Sequence, residues 1–266
     1  MTISTYDEIA EWYDRWLGTH AMPDDPYFPA AEALMGELAG QRICDLACGQ
    51  GRVARYLADR GAHVVGVDLS AKLLAIARRH EAAAPRGITY LHADARSLDG
   101  LADATFDGVL CFMALMDIAD LEPTLRSVAR VLRSGGWLVF AILHPCYHTA
   151  RSGEIEPPEG ALRTVGAYFD EGYWRSDTRT GPPGKIGAYH RTLSTYVNAL
   201  ADAGLTLERL SEPRAPASLP DAPAFTSRPV WDEVPAVLVA RCRKGRGAAT
   251  DRGASRARRS RRKQDG

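Results

Sequence analysis

Residues 43–51 read Ile-Cys-Asp-Leu-Ala-Cys-Gly-Gln-Gly and join a short apolar run to a turn that contains glycine. The apolar run predicts a buried strand, with Asp45 near its carboxyl end. Gly49 and Gly51 let the backbone approach a bulky ligand, as a nucleotide-binding turn requires. The nearby carboxylate would repel a pyrophosphate, whereas it would attract a cationic amine and a sulfonium. The turn therefore favours a cationic nucleoside that carries a ribose but no phosphate.

Two further acids follow predicted strands in the same way. The strand His63 to Val67 ends at Asp68, and the strand Ile88 to Leu91 ends shortly before Asp94. The carboxyl ends of parallel strands meet at one edge of a sheet, where ligands bind. We therefore expect these carboxylates to lie along one site. S-adenosylmethionine has the amine, the sulfonium and the ribose that such a site would hold.

Strands alternate with helices along most of the chain, which predicts a parallel sheet with helices on both faces. About forty residues of helical character precede the first strand. The later strands are predicted at residues 106–112, 137–143, 206–210 and 236–242, and a helix is predicted to begin at Thr192.

Residues 144–190 interrupt this alternation with two proline pairs and several aromatic residues. A connection of this length in a compact domain usually has a function, so we interpret it as a lid over the ligand-binding edge. His144 leaves the fifth strand at that edge and is the candidate base, because a histidine can take a proton from a hydroxyl or an ammonium. Alternatively, His144 binds the turn before Pro145 or lines the substrate pocket. The candidate substrate-binding residues are His148, Tyr168, Tyr173, Trp174 and His190, of which His190 has a lid-anchoring role as its alternative.

From about residue 40 to residue 143, the chain resembles the class I S-adenosylmethionine-dependent methyltransferases, in their small-molecule branch with a single methyltransferase domain. The segment from Asp45 to Gly51 occupies the positions of the family's acid and glycine-rich turn, with Ala47 where the family commonly has its first glycine. Asp68 lies nineteen residues after Gly49 and matches the acid that holds the ribose hydroxyls. Asp94 matches the acid that binds the adenine amino group. The cofactor-binding residues that the resemblance implies are Tyr13, Asp45, Ala47, Cys48, Gly49, Gly51, Asp68, Leu69, Asp94, Ala95, Phe112 and Met113.

The resemblance also implies the fold class and the reaction. The fold is α/β, a Rossmann-like sheet of seven mostly parallel strands with helices on both faces, an antiparallel last strand and a lid insertion after the fifth strand. Methyl transfer is an in-line displacement that requires alignment and exclusion of water but no metal. Because the lid is aromatic, the expected acceptor is an oxygen or nitrogen of a small aromatic or partly apolar molecule. Tyr6, Trp12 and Tyr13 are candidates for cation–π contact with the sulfonium, with helix packing as their alternative.

Three alternative functions remain open from the sequence. The segment from Gly49 to Ala54 formally matches the G-x-G-x-x-A pattern of an NAD(P)-dependent oxidoreductase, although Asp45, Asp94 and the long helical region before the first strand argue against it. The other two are an RNA-directed methyltransferase and a non-enzymatic binding module, each of which would use the basic end of the chain.

The charge is unevenly distributed along the chain, although the net charge is zero. Residues 243–266 carry a net charge of +8, so residues 1–242 carry −8. We expect one methyltransferase domain at 1–242, with the lid insertion at 144–190, and a disordered basic tail at 243–266. An acidic body argues against nucleic-acid binding except through that tail. With no apolar run long enough for a membrane span and five cysteines without metal spacing, we expect a cytoplasmic monomer or homodimer with reduced thiols.

Overall fold

The computed structural model describes residues 4–18, 25–155, 162–176, 181–214 and 234–245, and the statements below concern those residues. The strands are β1 (Arg42–Leu46), β2 (His63–Asp68), β3 (Thr89–His92), β4 (Phe106–Phe112), β5 (Leu132–Leu143), β6 (Gly153–Ile155), β7 (Leu162–Thr164), β8 (Gly172–Trp174), β9 (Ala188–His190), β10 (Leu205–Ser211) and β11 (Val237–Lys244). The α-helices are α1 (Ala10–Gly18), α2 (Phe28–Met35), α3 (Arg52–Asp59), α4 (Ala71–Ala83), α5 (Leu121–Val131), α6 (Pro182–Lys185) and α7 (Leu193–Asp202). Two 3-10 helices, Thr5–Glu8 and Leu115–Asp117, precede α1 and α5.

The central sheet has seven strands in the order β10-β11-β5-β4-β1-β2-β3. Strands β1 to β5 pair in parallel with their neighbours, whereas β11 is antiparallel to both β5 and β10. The predicted fold class is therefore confirmed, including the antiparallel last strand. This order places the carboxyl ends of β1, β2 and β4 side by side, at the edge where the sequence predicts the ligand site.

Helices cover both faces of the sheet, and each face has its own apolar core. On one face, side chains of α2, α3 and α4 pack with Ile43 of β1. On the other face, side chains of α5 and α7 pack with Cys44 and Leu46 of the same strand. Full burial of an aliphatic side chain stabilises the fold by about 1.5–3 kcal/mol, so both layers hold β1 firmly in place. This rigid central strand carries the acid and the turn of the predicted site.

Side-chain caps fix the starts of two helices that border the site. The Leu73 amide donates to Ser70 Oγ at 3.1 Å at the start of α4. The Thr195 amide donates to Thr192 Oγ1 at 3.2 Å at the start of α7. Such caps each stabilise a helix by about 1 kcal/mol. The predicted helix beginning at Thr192 is confirmed by this contact.

The predicted start of the fifth strand is wrong by five residues, since β5 begins at Leu132 and not at Trp137. Leu132 pairs with Phe106, while Trp137 pairs with Gly108, and an irregularity lies between the two pairs. The glycine pair at 135–136 is therefore a distortion within the strand and not a turn before it. Other predicted boundaries differ by one to three residues, and the region predicted as helical at 30–38 forms α2 at Phe28–Met35.

The insertion at 144–190 has secondary structure of its own. Strand β6 pairs with β7 and β8 pairs with β9, both antiparallel, and α6 lies between β8 and β9. Arg191 directly follows β9, and its guanidinium donates to the backbone carbonyls of Leu115, Ile118 and Ala119 at 3.2, 2.6 and 2.7 Å. The end of the insertion is thereby attached to the 3-10 helix that follows β4.

Some expectations fall on residues outside the described ranges. They concern most of the basic tail, at 246–266, and residues 156–161 and 177–180 of the insertion. Across the described segments, no helix has the length and apolar character needed to cross a membrane.

Candidate active site

The turn after β1 is built from residues in the left-handed backbone region. Ala47, Gly49 and Gly51 have φ angles of +56°, +56° and +80°. A left-handed backbone costs roughly 1–2 kcal/mol for an L-residue with a side chain. This cost explains why the family commonly has a glycine at the position of Ala47. The Gly51 amide donates to the Cys48 carbonyl at 2.9 Å and closes the turn. The backbone is therefore compact directly beside the ligand edge.

Substitution of Gly51 by Ala is expected to destabilise the fold more than substitution of Gly49 by Ala. Both residues have left-handed φ angles, but a Cβ at Gly51 would lie 2.3 Å from the Tyr90 hydroxyl oxygen, whereas at Gly49 the nearest atom is 3.8 Å away, in Tyr13. We expect Gly49→Ala to cost about 1–2 kcal/mol through strain alone. Gly51→Ala should cost about 1–3 kcal/mol more through overpacking. Urea unfolding of the two variants measures the difference, and equal losses of stability would contradict the prediction.

Two adjoining cavities open at the carboxyl edge of the sheet, next to this turn. The first has a volume of about 270 Å³ and the second of about 260 Å³. Seven residues line both cavities and so mark their junction: Tyr6, Tyr13, Ala47, Gly49, Phe112, Met113 and Asp117. A ligand that extends from one cavity into the other must pass this junction.

The first cavity brings together the acids that follow β2 and β3. Asp68 and Asp94 line it, as do Leu69 and Ala95. Asp68 accepts hydrogen bonds from the backbone amides of Gly49 at 2.8 Å and Ser70 at 2.7 Å, one at each carboxylate oxygen. Burial raises the pKa of this carboxyl, although both amides oppose the shift. The carboxylate is thus held in one orientation beside the turn.

Asp94 is paired with a cation that sequence reasoning missed. The Arg96 guanidinium donates to both Asp94 oxygens, with the shortest contact at 2.6 Å, and also to Asp120 Oδ2 at 2.8 Å. The hydrogen bonds from Arg96 hold the pKa of Asp94 below its usual range. Asp94 is therefore ionised and oriented at the wall of the first cavity. Its position two residues before an arginine is the sequence signal for the pair.

The second cavity is mainly apolar and aromatic, and the charged residues in its walls are Asp25, Asp45, Asp117 and Arg52. Asp45 is only 2 % exposed, and its Oδ2 has no hydrogen-bond partner among the described residues. Burial, with a smaller effect from Asp68, raises the pKa of Asp45 to about 8. The Tyr27 hydroxyl, also at this cavity, is buried and has no partner within the described segments. Such orphan polar atoms in a cavity are suited to groups of a bound ligand.

Most of the predicted cofactor residues line one cavity or both. Those around the cavities are Tyr13, Asp45, Ala47, Cys48, Gly49, Asp68, Leu69, Asp94, Ala95, Phe112 and Met113, whereas Gly51 lies behind the turn against Tyr90. Of the cation–π candidates, Tyr6 and Tyr13 lie at the junction. Trp12 lies outside both cavities, and its ring contacts Lys185 Nζ at 4.5 Å from the centroid.

His144 is absent from the lining of both cavities. Its Nδ1 accepts a hydrogen bond from the Cys146 amide at 3.1 Å, so the ring proton is on Nε2, which donates to Glu212 Oε1 at 3.0 Å. Both ring nitrogens are thus engaged, and the side chain is buried. The Cys146 amide follows Pro145, so the ring binds the turn that contains Pro145, and in this geometry neither ring nitrogen has a free lone pair for a substrate proton.

The predicted substrate-binding residues divide into two groups. His148 and Trp174 line the second cavity and Tyr173 lines the first, and burial lowers the pKa of His148 to about 3. Tyr168 and His190 lie outside both cavities. The Tyr168 hydroxyl accepts from the Leu193 amide, and His190 contacts the carbonyl oxygens of His148 and Tyr168 at 3.2 and 2.8 Å. Tyr168 and His190 therefore make contacts that hold the insertion together. For His190 this is the lid-anchoring role given as its alternative.

A carboxylate that was not predicted from the sequence lies at the junction of the two cavities. Asp117 lies there, and the Tyr6 hydroxyl donates to its Oδ2 at 2.7 Å. Burial, opposed by the Tyr6 hydrogen bond, raises the pKa of Asp117 to about 7. The available signal was composition, because Asp117 is the only charged residue between Gly108 and Ala119. Within the described residues, no group of three or more His, Cys, Asp or Glu side chains could hold a metal ion.

Comparison with known proteins agrees with this arrangement. Residues 44–140 match a family model described as a methyltransferase domain. The chain is 34% identical to an S-adenosylmethionine-dependent methyltransferase of known structure from Mesorhizobium loti, covering 82% of this chain and 97% of the other with a TM-score of 0.69. It is also 39% identical over 165 residues to a demethylmenaquinone methyltransferase from Thermus thermophilus, covering 60% of this chain and 69% of that protein. A ubiquinone biosynthesis O-methyltransferase from Aromatoleum aromaticum is 36% identical over 107 residues, which are 40% of this chain.

The chain belongs to the S-adenosylmethionine-dependent methyltransferase family. It spans about half the length of several of the curated relatives that it matches, namely 46% of the Aromatoleum protein and 54% of a demethylmenaquinone methyltransferase from Clavibacter sepedonicus. The segment that matches the family model, residues 44–140, contains the turn after β1 and the strand-end acids Asp45, Asp68 and Asp94.

Proposed function

We propose that this protein transfers the methyl group of S-adenosylmethionine to an oxygen or nitrogen of a small, aromatic or partly apolar acceptor. The observation that carries the proposal is the pair of cavities that meet beside the turn after β1. One cavity has oriented acids at the ends of two strands, and the other has apolar and aromatic walls. A donor and an acceptor bound on either side of one junction are held for in-line displacement.

The first cavity suits the adenosine part of the donor. The Asp68 carboxylate, held by two backbone amides, would accept hydrogen bonds from ribose hydroxyls, and Asp94 would accept one from the adenine amino group. Asp45, at the wall of the second cavity, would face the cationic amine of a donor that extends across the junction, with the oxygen that has no partner among the described residues. The aromatic rings of Tyr6 and Tyr13 lie at the junction, where a sulfonium would gain cation–π attraction.

The second cavity suits the acceptor. Its walls include the rings of Trp16, Tyr27 and Trp174 and the proline pair Pro182–Pro183, which favour a flat apolar compound. Two relatives in the comparison act in ubiquinone biosynthesis or on demethylmenaquinone, according to their names, and these names support an acceptor of the quinone type. The aromatic residues of the insertion, Tyr173 and Trp174, would then contribute to acceptor selectivity.

The remaining expectations about the whole protein belong to the same proposal. We take residues 1–242 as one methyltransferase domain with an insertion at 144–190, followed by a basic tail. Four of the five cysteines are buried, and all five are free thiols, which supports a reducing, cytoplasmic setting. The acidic cavity walls support a small-molecule acceptor in preference to a nucleic acid, and a monomer or homodimer is sufficient because both cavities form within one chain.

Calorimetric titration of the full chain with S-adenosylmethionine and, separately, with NADH tests the choice of cofactor. We expect saturable binding of S-adenosylmethionine and none of NADH, because the acids of the site repel a pyrophosphate. A variant that ends at residue 245 should bind with unchanged affinity, since the described site includes no residue beyond that point. Binding of NADH alone, or loss of S-adenosylmethionine binding with the tail, would contradict the proposed function.

A further inference from the structure

We propose that Asp117 accepts the proton of an uncharged aromatic hydroxyl while the hydroxyl oxygen takes the methyl group. The methyl acceptor is then a phenol-type compound. This inference rests on the proposed function of the same site. It assigns both a proton acceptor and a class of substrate.

Position is the first argument for Asp117. Of the seven residues that line both cavities, it is the only one with a carboxylate, and none of them is a histidine, lysine or cysteine. The Tyr6 hydroxyl donates to Oδ2 and fixes the carboxylate plane, while Oδ1 makes no hydrogen bond to another described residue. A reacting hydroxyl at the junction could donate to this oxygen. By contrast, both nitrogens of His144 are already engaged.

The local charge is the second argument, because it separates acceptor classes. The acids Asp45, Asp68 and Asp117 line the cavities, as do Asp25 and Asp94, which pair with the arginines of the same walls, Arg52 and Arg96. These acids would repel a carboxylate acceptor. They would also raise the pKa of an ammonium acceptor. Its nitrogen would then stay protonated and would have no free lone pair for the methyl group. An uncharged phenol avoids both penalties and needs only one local base.

The step is balanced in atoms and charge. The hydroxyl oxygen forms a bond to the methyl carbon as the carbon–sulfur bond breaks, and that electron pair stays on sulfur, which becomes a neutral thioether. The hydroxyl proton passes to Asp117 Oδ1 and leaves to water after the product departs. A positioned base of this kind accelerates transfer by about 10²–10⁴-fold.

The groups around Asp117 set the sign of its pH dependence. Those that face it are Tyr6 of the first 3-10 helix, Tyr13 of α1, Asp68 of β2, Cys111 of β4 and Tyr196 of α7, and the Arg191 guanidinium binds nearby carbonyls. Burial and Asp68 raise the pKa of Asp117, while the Tyr6 hydrogen bond lowers it. Because the base must be ionised, turnover should rise with pH through about 7 and then level off. Removal of the Tyr6 hydroxyl should move this rise to higher pH.

Three naphthalene compounds of matched shape test the proposal. The wild type, Asp117→Asn and Tyr6→Phe are each supplied with S-adenosylmethionine and with 2-naphthol, 2-naphthalenethiol or 2-naphthoate, and methylated product is measured by mass spectrometry. An aromatic thiol is more acidic than the naphthol, so its methylation depends less on a base at Asp117. We expect Asp117→Asn to lower kcat for 2-naphthol by about 10²-fold or more while kcat for the thiol changes by less than about tenfold. We expect no methylation of 2-naphthoate.

Controls separate this inference from the proposed function. Asp103→Asn removes an exposed acid that pairs with Arg130, far from both cavities, and should leave all rates unchanged. Calorimetry with S-adenosylmethionine is run on every variant.

Failure of the wild type to bind this donor contradicts the proposed function itself. Normal binding with equal losses for naphthol and thiol in Asp117→Asn overturns the role as base, as does a wild-type rate on 2-naphthol that is flat across neutral pH. Methylation of 2-naphthoate, or no turnover of either naphthyl nucleophile, overturns the substrate class.

Discussion

Asp68→Asn is expected to reduce the affinity for S-adenosylmethionine by about 100-fold, the effect of losing one to two charge-assisted hydrogen bonds in a buried site. In the folded protein both carboxylate oxygens accept a backbone amide, from Gly49 and Ser70. An asparagine offers one oxygen and one NH2 group, so in either orientation an NH2 faces an N–H donor. The turn then loses an anchor and the ribose loses its acceptor. Calorimetric titration gives the change in affinity, and thermal unfolding gives the accompanying loss of stability.

The matched control for this substitution is Asp59→Asn. Asp59 is an exposed acid at the end of α3 that pairs with Arg86, and it lies outside both cavities. Exposed pairs of this kind contribute about 0–1 kcal/mol, so the control should bind with the affinity of the wild type. If Asp68→Asn also bound normally, Asp68 would have no part in holding the donor.

Asp45→Asn is expected to stabilise the ligand-free protein at alkaline pH and to weaken its binding of the donor. Burial raises the pKa of Asp45 to about 8, against about 3.9 for an unfolded aspartate. Between these values the folded state holds a proton that the unfolded state has lost, so stability falls as pH rises through this window. An asparagine does not ionise. Its melting temperature should be close to that of the wild type near pH 4 and should exceed it by a margin that grows by several degrees up to pH 9, since a domain of this size shifts by roughly 2–4 °C per kcal/mol.

The binding effect of Asp45→Asn has its own control ligand. 5'-Methylthioadenosine has the adenosine part of the donor but neither the amine nor the positive sulfur. We expect the substitution to weaken S-adenosylmethionine binding by about tenfold or more, the effect of a lost charge-assisted hydrogen bond, and to leave 5'-methylthioadenosine unaffected. Equal losses for both ligands would show a distorted turn, and the role of Asp45 toward the amine would be wrong. An unchanged difference in melting temperature from pH 5 to pH 9 would show that Asp45 does not titrate in this window.

The fold and much of the cofactor side could be predicted because the signals are local. A strand, an acid and a turn lie within nine residues at 43–51, and the same pattern recurs at Asp68 and Asp94. Parallel pairing then brings separate strand ends to one edge without any knowledge of side-chain contacts. The alternation of strands and helices also sets both helical layers. The start of β5 was missed because glycine pairs more often mark turns than irregularities within a strand.

The place of Asp117 in the site and the contacts made by the insertion could not be predicted because those contacts are not local. Tyr6 and Asp117 are 111 residues apart in sequence, and only the folded chain shows that they share a hydrogen bond. His144 has a suitable side chain at a suitable edge, but its contact with Glu212, 68 residues away in sequence, occupies the ring Nε2 and could not be foreseen from the sequence. A residue type at a strand end identifies a candidate, whereas the orientation of the side chain decides its role.

Arg191 couples the position of the insertion to the position of the segment that carries Asp117. The arginine ties the last strand of the insertion to the three carbonyls around the 3-10 helix that carries Asp117. A rearrangement of the insertion that makes room for a bulkier substrate therefore also displaces the 3-10 helix that carries the Asp117 carboxylate. Exchange of this insertion between homologous enzymes should alter turnover together with selectivity, and the two traits should evolve as a linked pair.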